Sequence, residues 1–233
     1  MTGVQTCALP ICLTSRLVCA QSAESKGRLS VVELYTSEGC SSCPSADEWL
    51  DSTFPRADAV AIAYHVDYWN QLGWPDPFSS AAYTEKQQRM AARDGGTVYT
   101  PEVTLDGHEA RRGSGVEALL AARPATRVRV SLTVTRTGDT LHVQARSSDP
   151  SLALRAVLVE SGLEVLVPRG ENAGRRLRHD HVARRMLEGN NGTLGGTIEL
   201  RRDWNRGKLG VVALVEDVRS GDIRQAVFVP HLD

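Results

Sequence analysis

The chain has no apolar run approaching the roughly 20 residues that a membrane-spanning helix needs. It also lacks an excess of charge of one sign. Lys and Arg total 27 against 28 Asp and Glu, a formal net charge of −1, so no overall basic field argues for nucleic acid. Internal repeats and low-complexity segments are missing too, so the chain does not read as an array or a linker. Cysteine is scarce at five residues. What remains is a globular composition, 233 residues with 41% hydrophobic content, long enough for one large core or two modest ones.

The cysteines divide by position. Thr2 to Ile11 is the conceptual translation of ACT GGA GTT CAG ACG TGT GCT CTT CCG ATC, a sequencing-library adapter. Met1 to Ile11 is therefore expected to be an assembly artefact, with Cys12 on its junction. Leu13 to Ala23 ends in a small-residue Ala-x-x-Ala stretch before a polar spacer, as the tail of a secretory signal would. Cys19 falls within it, so Cys40 and Cys43 are expected to be the only thiols of a mature, periplasmic or secreted protein. One close pair is not a stabilising framework. In an exported protein it reads as redox-active or metal-binding.

From Leu29 to about Arg123, strand and helix alternate. Ser30 to Tyr35 is a short apolar run, Cys40 to Leu50 has helical character, and Val60 to Val66 is a continuous apolar run of the kind buried on both faces. A polar helix fits Ser80 to Arg93, a hairpin Val103 onward, and a last helix Gly115 to Ala122. Beyond Pro124 the pattern changes to six or so short strands, including Ala153 to Glu160 and Lys208 to Glu216. The organisation expected is residues 1–28 as artefact, signal remnant and spacer, 29–123 as an α/β domain, and 124–233 as a mostly antiparallel β-sandwich.

A Cys-x-x-Cys pair between strand and helix brings two sulfurs close enough for an exchangeable disulfide, the first attacked and the second resolving. Half a zinc site looks the same, but a structural zinc needs four ligands and no second pair exists. The segments Glu33 to Pro44, Tyr64 to Trp69 with Leu72-Gly73-Trp74 and Asp76-Pro77-Phe78, and Val98 to Pro101 resemble the secreted thioredoxin-like family called domain of unknown function 1223. The resemblance implies a thioredoxin-like fold for the first domain. It also implies a cis-proline at Pro101 facing the pair, Thr100 offering backbone to a bound substrate strand, and Glu33 as a buried proton acceptor for the resolving thiol.

Pro44 directly follows the second cysteine, so the helix is expected to start there rather than at Cys40. Glu38, Asp47 and Glu48 flank the pair with no nearby Lys or Arg. Both features oppose a strongly depressed Cys40 pKa and point to a reductant or isomerase-like potential. Tyr68, Trp69 and Trp74 concentrate on the loop after the second strand, as a peptide groove or as packing. His65, with both thiols, offers soft-ligand copper chemistry as the alternative. The Arg175 to Arg185 stretch around His179-Asp180-His181 reads as a solvated face or a domain interface. The function expected is a thiol–disulfide oxidoreductase acting on protein or peptide disulfides without a cofactor or resident metal. The alternative is a copper-binding protein using the same thiols.

Overall fold

The computed structural model describes residues 18–112 and 114–232. The adapter-like segment, Cys12 and the start of the leader-like stretch lie outside them. Among the described residues the elements are mostly strands. In the first half they are β1 (Val18–Glu24), β2 (Ser30–Thr36), β3 (Ala59–His65), β4 (Glu102–Leu105) and β5 (His108–Glu109), with α1 (Pro44–Thr53), α2 (Ala81–Asp94) and α3 (Ser114–Ala122). The second half contributes β6 (Val130–Thr137), β7 (Thr140–Ser147), β8 (Ala153–Glu160), β9 (Leu163–Leu166) and β10 (Arg176–His179). It continues with β11 (Val182–Gly189), β12 (Thr193–Glu199), β13 (Leu209–Glu216) and β14 (Ile223–Pro230).

One mixed sheet of eight strands, in the order β14-β13-β8-β11-β3-β2-β4-β5, runs through both halves of the chain. The expected thioredoxin-like α/β domain followed by a separate β-sandwich is therefore corrected. The physical reason lies in β8 and β13. A sandwich strand buries one face and alternates, as β7 does. In contrast, Leu209 to Val215 is buried at every position, and Val157 to Glu160 likewise. Strands apolar on both faces must lie inside a covered sheet, and they do so through β11, which pairs with β8 and whose Val182 pairs in parallel with Ala63 of β3.

The two faces of this sheet are covered differently. On one, Val31, Tyr35, Ile62 and Tyr64 of the first half share a core with Val157, Val212 and Leu214 of the second, under Tyr83 and Met90 of α2. On the other, Val32, Leu34, Ala61 and Ala63 pack under Ala46 and Leu50 of α1 and Val116 of α3. Next to them on that face, Leu154, Leu158, Val211 and Ala213 pack on a second sheet of order β1-β6-β7-β12. Its edge strand β1 pairs with β6 from Val18 to Glu24, so the end of the leader-like stretch is a strand here. The β9–β10 hairpin stands apart as a two-stranded ladder.

Because Leu214 sits in a core drawn from both halves, Leu214→Ala is expected to cost about 2–5 kcal/mol. Both halves should lose that stability together. Trp fluorescence, dominated by Trp49, Trp69 and Trp74 of the first half, and far-ultraviolet circular dichroism should move to one lower denaturant midpoint. A shift in the dichroism alone contradicts the shared core.

Candidate functional site

Strand β2 ends at Thr36, and the turn from Ser37 to Cys43 carries the chain into α1. Cys43 is the N-cap of that helix and Pro44 its first residue, as the proline's missing N–H favours. The turn closes through Cys40 N donating to Ser37 O and Cys43 N to Cys40 O, both at 3.2 Å. Within it Cys40 and Cys43 form a disulfide with their Cα atoms 5.4 Å apart. Both cysteines are buried, whereas exchange at such a pair calls for an accessible first thiol: Cys40 is 1% exposed and Cys43 0%.

The cover comes from the second half of the chain. The tip of the β9–β10 hairpin, residues 167–175, lies over the turn, and Asn172 donates through Nδ2 to Glu38 O at 2.8 Å and Cys40 O at 2.9 Å. Arg175 holds the other end of that amide, Nη1 to Oδ1 at 2.7 Å, and Ser41 N donates to Glu171 Oε2 at 3.0 Å. Gly170 adopts φ +83°, and a Cβ there would sit 3.4 Å from that of Trp74, so the tip packs closely on the aromatic loop as well.

Behind the disulfide is a group of buried ionisable side chains. Glu38 accepts from Trp74 Nε1 at 2.6 Å and faces His179 Nε2 at 3.2 Å. The other ring nitrogen of His179, Nδ1, faces Asp47 Oδ2 at 3.9 Å. His65 at the end of β3 pairs with Asp76 through Nδ1 at 2.7 Å, and the two imidazole rings meet edge to face with centroids 4.9 Å apart. Asp76 also accepts from the Glu38 and Phe78 amides. Burial pulls the His65 pKa down, but the Asp76 carboxylate more than offsets it and the net shift is upward. For Asp76, burial pushes up and is outweighed by His65 and the two amides, so its pKa is lowered. Asp47 is raised, burial dominating over the opposing His179 and His65. Among the described residues no group of three or more His, Cys, Asp or Glu is arranged to hold a metal ion.

Several expected site residues converge here. Trp69 approaches the turn, since a Cβ on Gly39 would sit 3.0 Å from its own Cβ, and its Nε1 donates to Thr100 Oγ1 at 2.9 Å. The Thr100–Pro101 bond is cis. Trp74 is tied to Glu38, whereas Tyr68 points its hydroxyl at Gln87 of α2. Glu33 does not join them. It lies on the α2 face of the sheet, opposite α1, with Lys86 Nζ at 2.9 Å and Thr104 Oγ1 at 3.2 Å. Burial would raise its pKa, but Lys86 outweighs this and lowers it, so Glu33 is held ionised. The residues overlooked in the sequence are His179, Asp76 and Asn172. β10 reads exposed-buried-exposed-buried, with Arg176 and Arg178 outward and His179 inward. That alternation was visible in Arg-Leu-Arg-His.

A family model described as a protein of unknown function, DUF1223, matches residues 31–216. The chain belongs to the DUF1223 family. Among solved structures it is similar to the crystal structure of protein AGR_C_4864 from Agrobacterium tumefaciens. That pair has 26% identity and a TM-score of 0.65, over 87% of this chain and 94% of the other. No curated protein matches it. As a DUF1223 protein it places the family's matched segment across both halves of the eight-stranded sheet, from β2 to β13.

Two outcomes are expected at this site. Asn172→Ala removes the two hydrogen bonds its amide gives to the turn, and reduction of the Cys40–Cys43 disulfide by dithiothreitol should quicken about tenfold, the factor given by a net loss near 1.4 kcal/mol. An unchanged rate contradicts the cover. Asp76→Asn should destabilise the fold by about 3–5 kcal/mol at neutral pH, because it strands a buried His65. The pair's contribution is full between the two titrations. It fades as acid protonates Asp76 through its lowered folded pKa, and again as rising pH passes the raised folded pKa of His65. The gap between wild-type and variant urea midpoints should therefore narrow at both ends of the pH range. A gap flat across that range counts against the pair.

Proposed function

We propose that this DUF1223 protein is a thiol–disulfide oxidoreductase that acts on protein or peptide disulfides outside the cytoplasm through Cys40 and Cys43. The observation carrying this reading is the Cys-x-x-Cys disulfide held at the junction of a central strand and a helix N-terminus, beside aromatic surface. A pair so placed exchanges by attack of a thiolate on Cys40, which forms a mixed disulfide and leaves Cys43 as the thiolate that resolves it. Secreted and periplasmic surroundings are where such a pair persists in the oxidised state.

The substrate reading rests on the surface next to the turn. Leu72, Val98 and Tyr99 are exposed apolar side chains, and they flank the Trp69–Thr100 contact. An extended peptide laid there finds side-chain contacts, and Thr100 offers backbone next to Pro101. The buried acids Glu38 and Asp47 near the pair disfavour a strongly acidic Cys40, so the potential fits a reductant or an isomerase better than a strong oxidant.

Reduction of insulin disulfides in the presence of dithiothreitol should proceed with the wild type and fall to background in Cys40→Ser. Activity that survives in the variant, or none in the wild type, defeats the proposal. Stoichiometric Cu(I) uptake by the reduced protein without exchange would favour copper binding through the same thiols instead.

A further inference from the structure

We propose that Asp47, braced by His179, is the residue that takes and returns the proton of Cys43 during exchange. This rests on the redox reading of Cys40 and Cys43 and adds to it the identity of the acid–base partner.

The placement follows from helix geometry. The Asp47 amide donates to the Cys43 carbonyl at 3.1 Å, which makes the two residues an i, i+4 pair at the first turn of α1. Side chains of a helix lean toward its N-terminus, so the Asp47 carboxyl covers the turn that holds Cys43. Both side chains are buried, and Asp47 Oδ1 has no hydrogen-bond partner among the described residues. A buried acceptor with an unused lone pair, one turn from a buried sulfur, is placed for proton transfer.

His179 supplies the second, independent observation. It is buried, it comes from β10 in the other half of the chain, and its Nδ1 lacks a hydrogen-bond partner while facing Asp47 Oδ2 at 3.9 Å. Its Nε2 is anchored by Glu38, so the ring bridges two carboxylates and keeps one nitrogen directed at Asp47. The titratable and polar groups around Asp47 are His179 of β10, His65 of β3, Asp76 of the aromatic loop, Glu38 of the turn, Thr36 of β2, and Asp51 one turn further along α1. Burial raises the Asp47 pKa above the ordinary aspartate range, over the opposing His179 and His65. The expected acceptor Glu33 is ion-paired on the opposite face and cannot take this part.

The step balances without an added oxidant beyond the disulfide substrate. In the mixed disulfide, Cys40 Sγ is bonded to the substrate sulfur and Cys43 is a thiol. Cys43 passes its proton to the Asp47 carboxylate, and the resulting thiolate attacks Cys40 Sγ. The Cys40–Cys43 bond forms, the bond to substrate breaks, and the electron pair leaves on the substrate as a thiolate. In the reverse direction a substrate thiolate attacks Cys40, and protonated Asp47 returns its proton to the departing Cys43 sulfur.

The test uses the full chain with Cys7, Cys12 and Cys19 replaced by serine, reduced, and mixed with Ellman's reagent in stopped flow. A first burst of nitrothiobenzoate reports attack by Cys40, and a second reports resolution by Cys43. In Asp47→Asn the second phase should slow by about 100-fold at neutral pH, the usual scale of a lost acid–base group. It should then climb with pH toward the ordinary thiol range near about 8.5, while the first phase changes little. His179→Gln should shift the same pH profile in the same direction by less, and it stands in if Asp47→Asn fails to fold. A second phase whose pH profile is unchanged in either folded variant overturns the role of Asp47 and leaves the redox reading standing. Absence of both phases in the parent protein removes the redox reading, and this inference with it.

Discussion

The join between β3 and β11 is the constraint on which the rest of the structure depends. It is short: Val182 opposite Ala63, with the Ala63 amide donating to the His181 carbonyl at 2.8 Å. Everything that the second half brings to the cysteine turn hangs from that join. β10 ends three residues before Val182, so fixing β11 against β3 fixes where His179 enters. The hairpin ahead of it then has only one way to lie, across the start of α1. Two further contacts hold that angle, the Asp180 amide on Asp51 and His181 Nε2 on the Phe54 carbonyl. A parallel pairing of this kind is weak by itself. It is sustained because β3 on one side, and β8 and β13 beyond β11 on the other, carry apolar residues on both faces and lose that burial if the sheet parts.

Placing five ionisable side chains behind a disulfide is costly unless each finds partners. The arrangement divides the problem. Asp76 is fully served by an imidazole and two backbone amides, and it behaves as a structural anchor for the aromatic loop. Glu38 is served by an indole N–H and an imidazole. Asp47 is the member left short, and His65 Nε2 and His179 Nδ1 are short with it. Buried polar groups are rarely left so in a region whose only task is packing. Glu33 is given a lysine and a threonine, and Lys86 lies in turn against the Tyr35 and Tyr64 rings.

The contrast marks what was legible in the sequence. The cysteine pair, the helix start at Pro44 and the strand–helix alternation of the first half are local, set by proline chemistry and by the period of the apolar residues. The global arrangement was not. The runs Ala153 to Glu160 and Leu209 to Glu216 carry the mark of doubly covered strands, but a short apolar run does not say which strand it joins. Glu33 misled for a related reason. A strand position next to a motif fixes the face its side chain takes, yet which face meets α1 depends on how the helix packs, and Lys86 arrives from 53 positions further along the chain. His179 and Asn172 were hidden among arginines, whose charge suggested a solvated surface. Arg176 and Arg178 do face outward, and the strand's two-residue period turns the histidine in.

The cover and the acid come from opposite ends of the chain, and this couples them. Asn172 reads the positions of the Glu38 and Cys40 carbonyls, the second of which lies within the ring closed by the disulfide. His179, three residues before β11 begins and on the same hairpin as Asn172, sets the orientation of its free nitrogen by the same docking. Any change in the turn that loosens the hairpin therefore also withdraws His179 from Asp47. Linkage makes the relation reciprocal: a state of the cysteines that favours the docked hairpin is favoured by it to the same degree. Exposure of Cys40 and the electrostatics behind Cys43 are thus one equilibrium, set by how the β9–β10 hairpin sits on the first turn of α1.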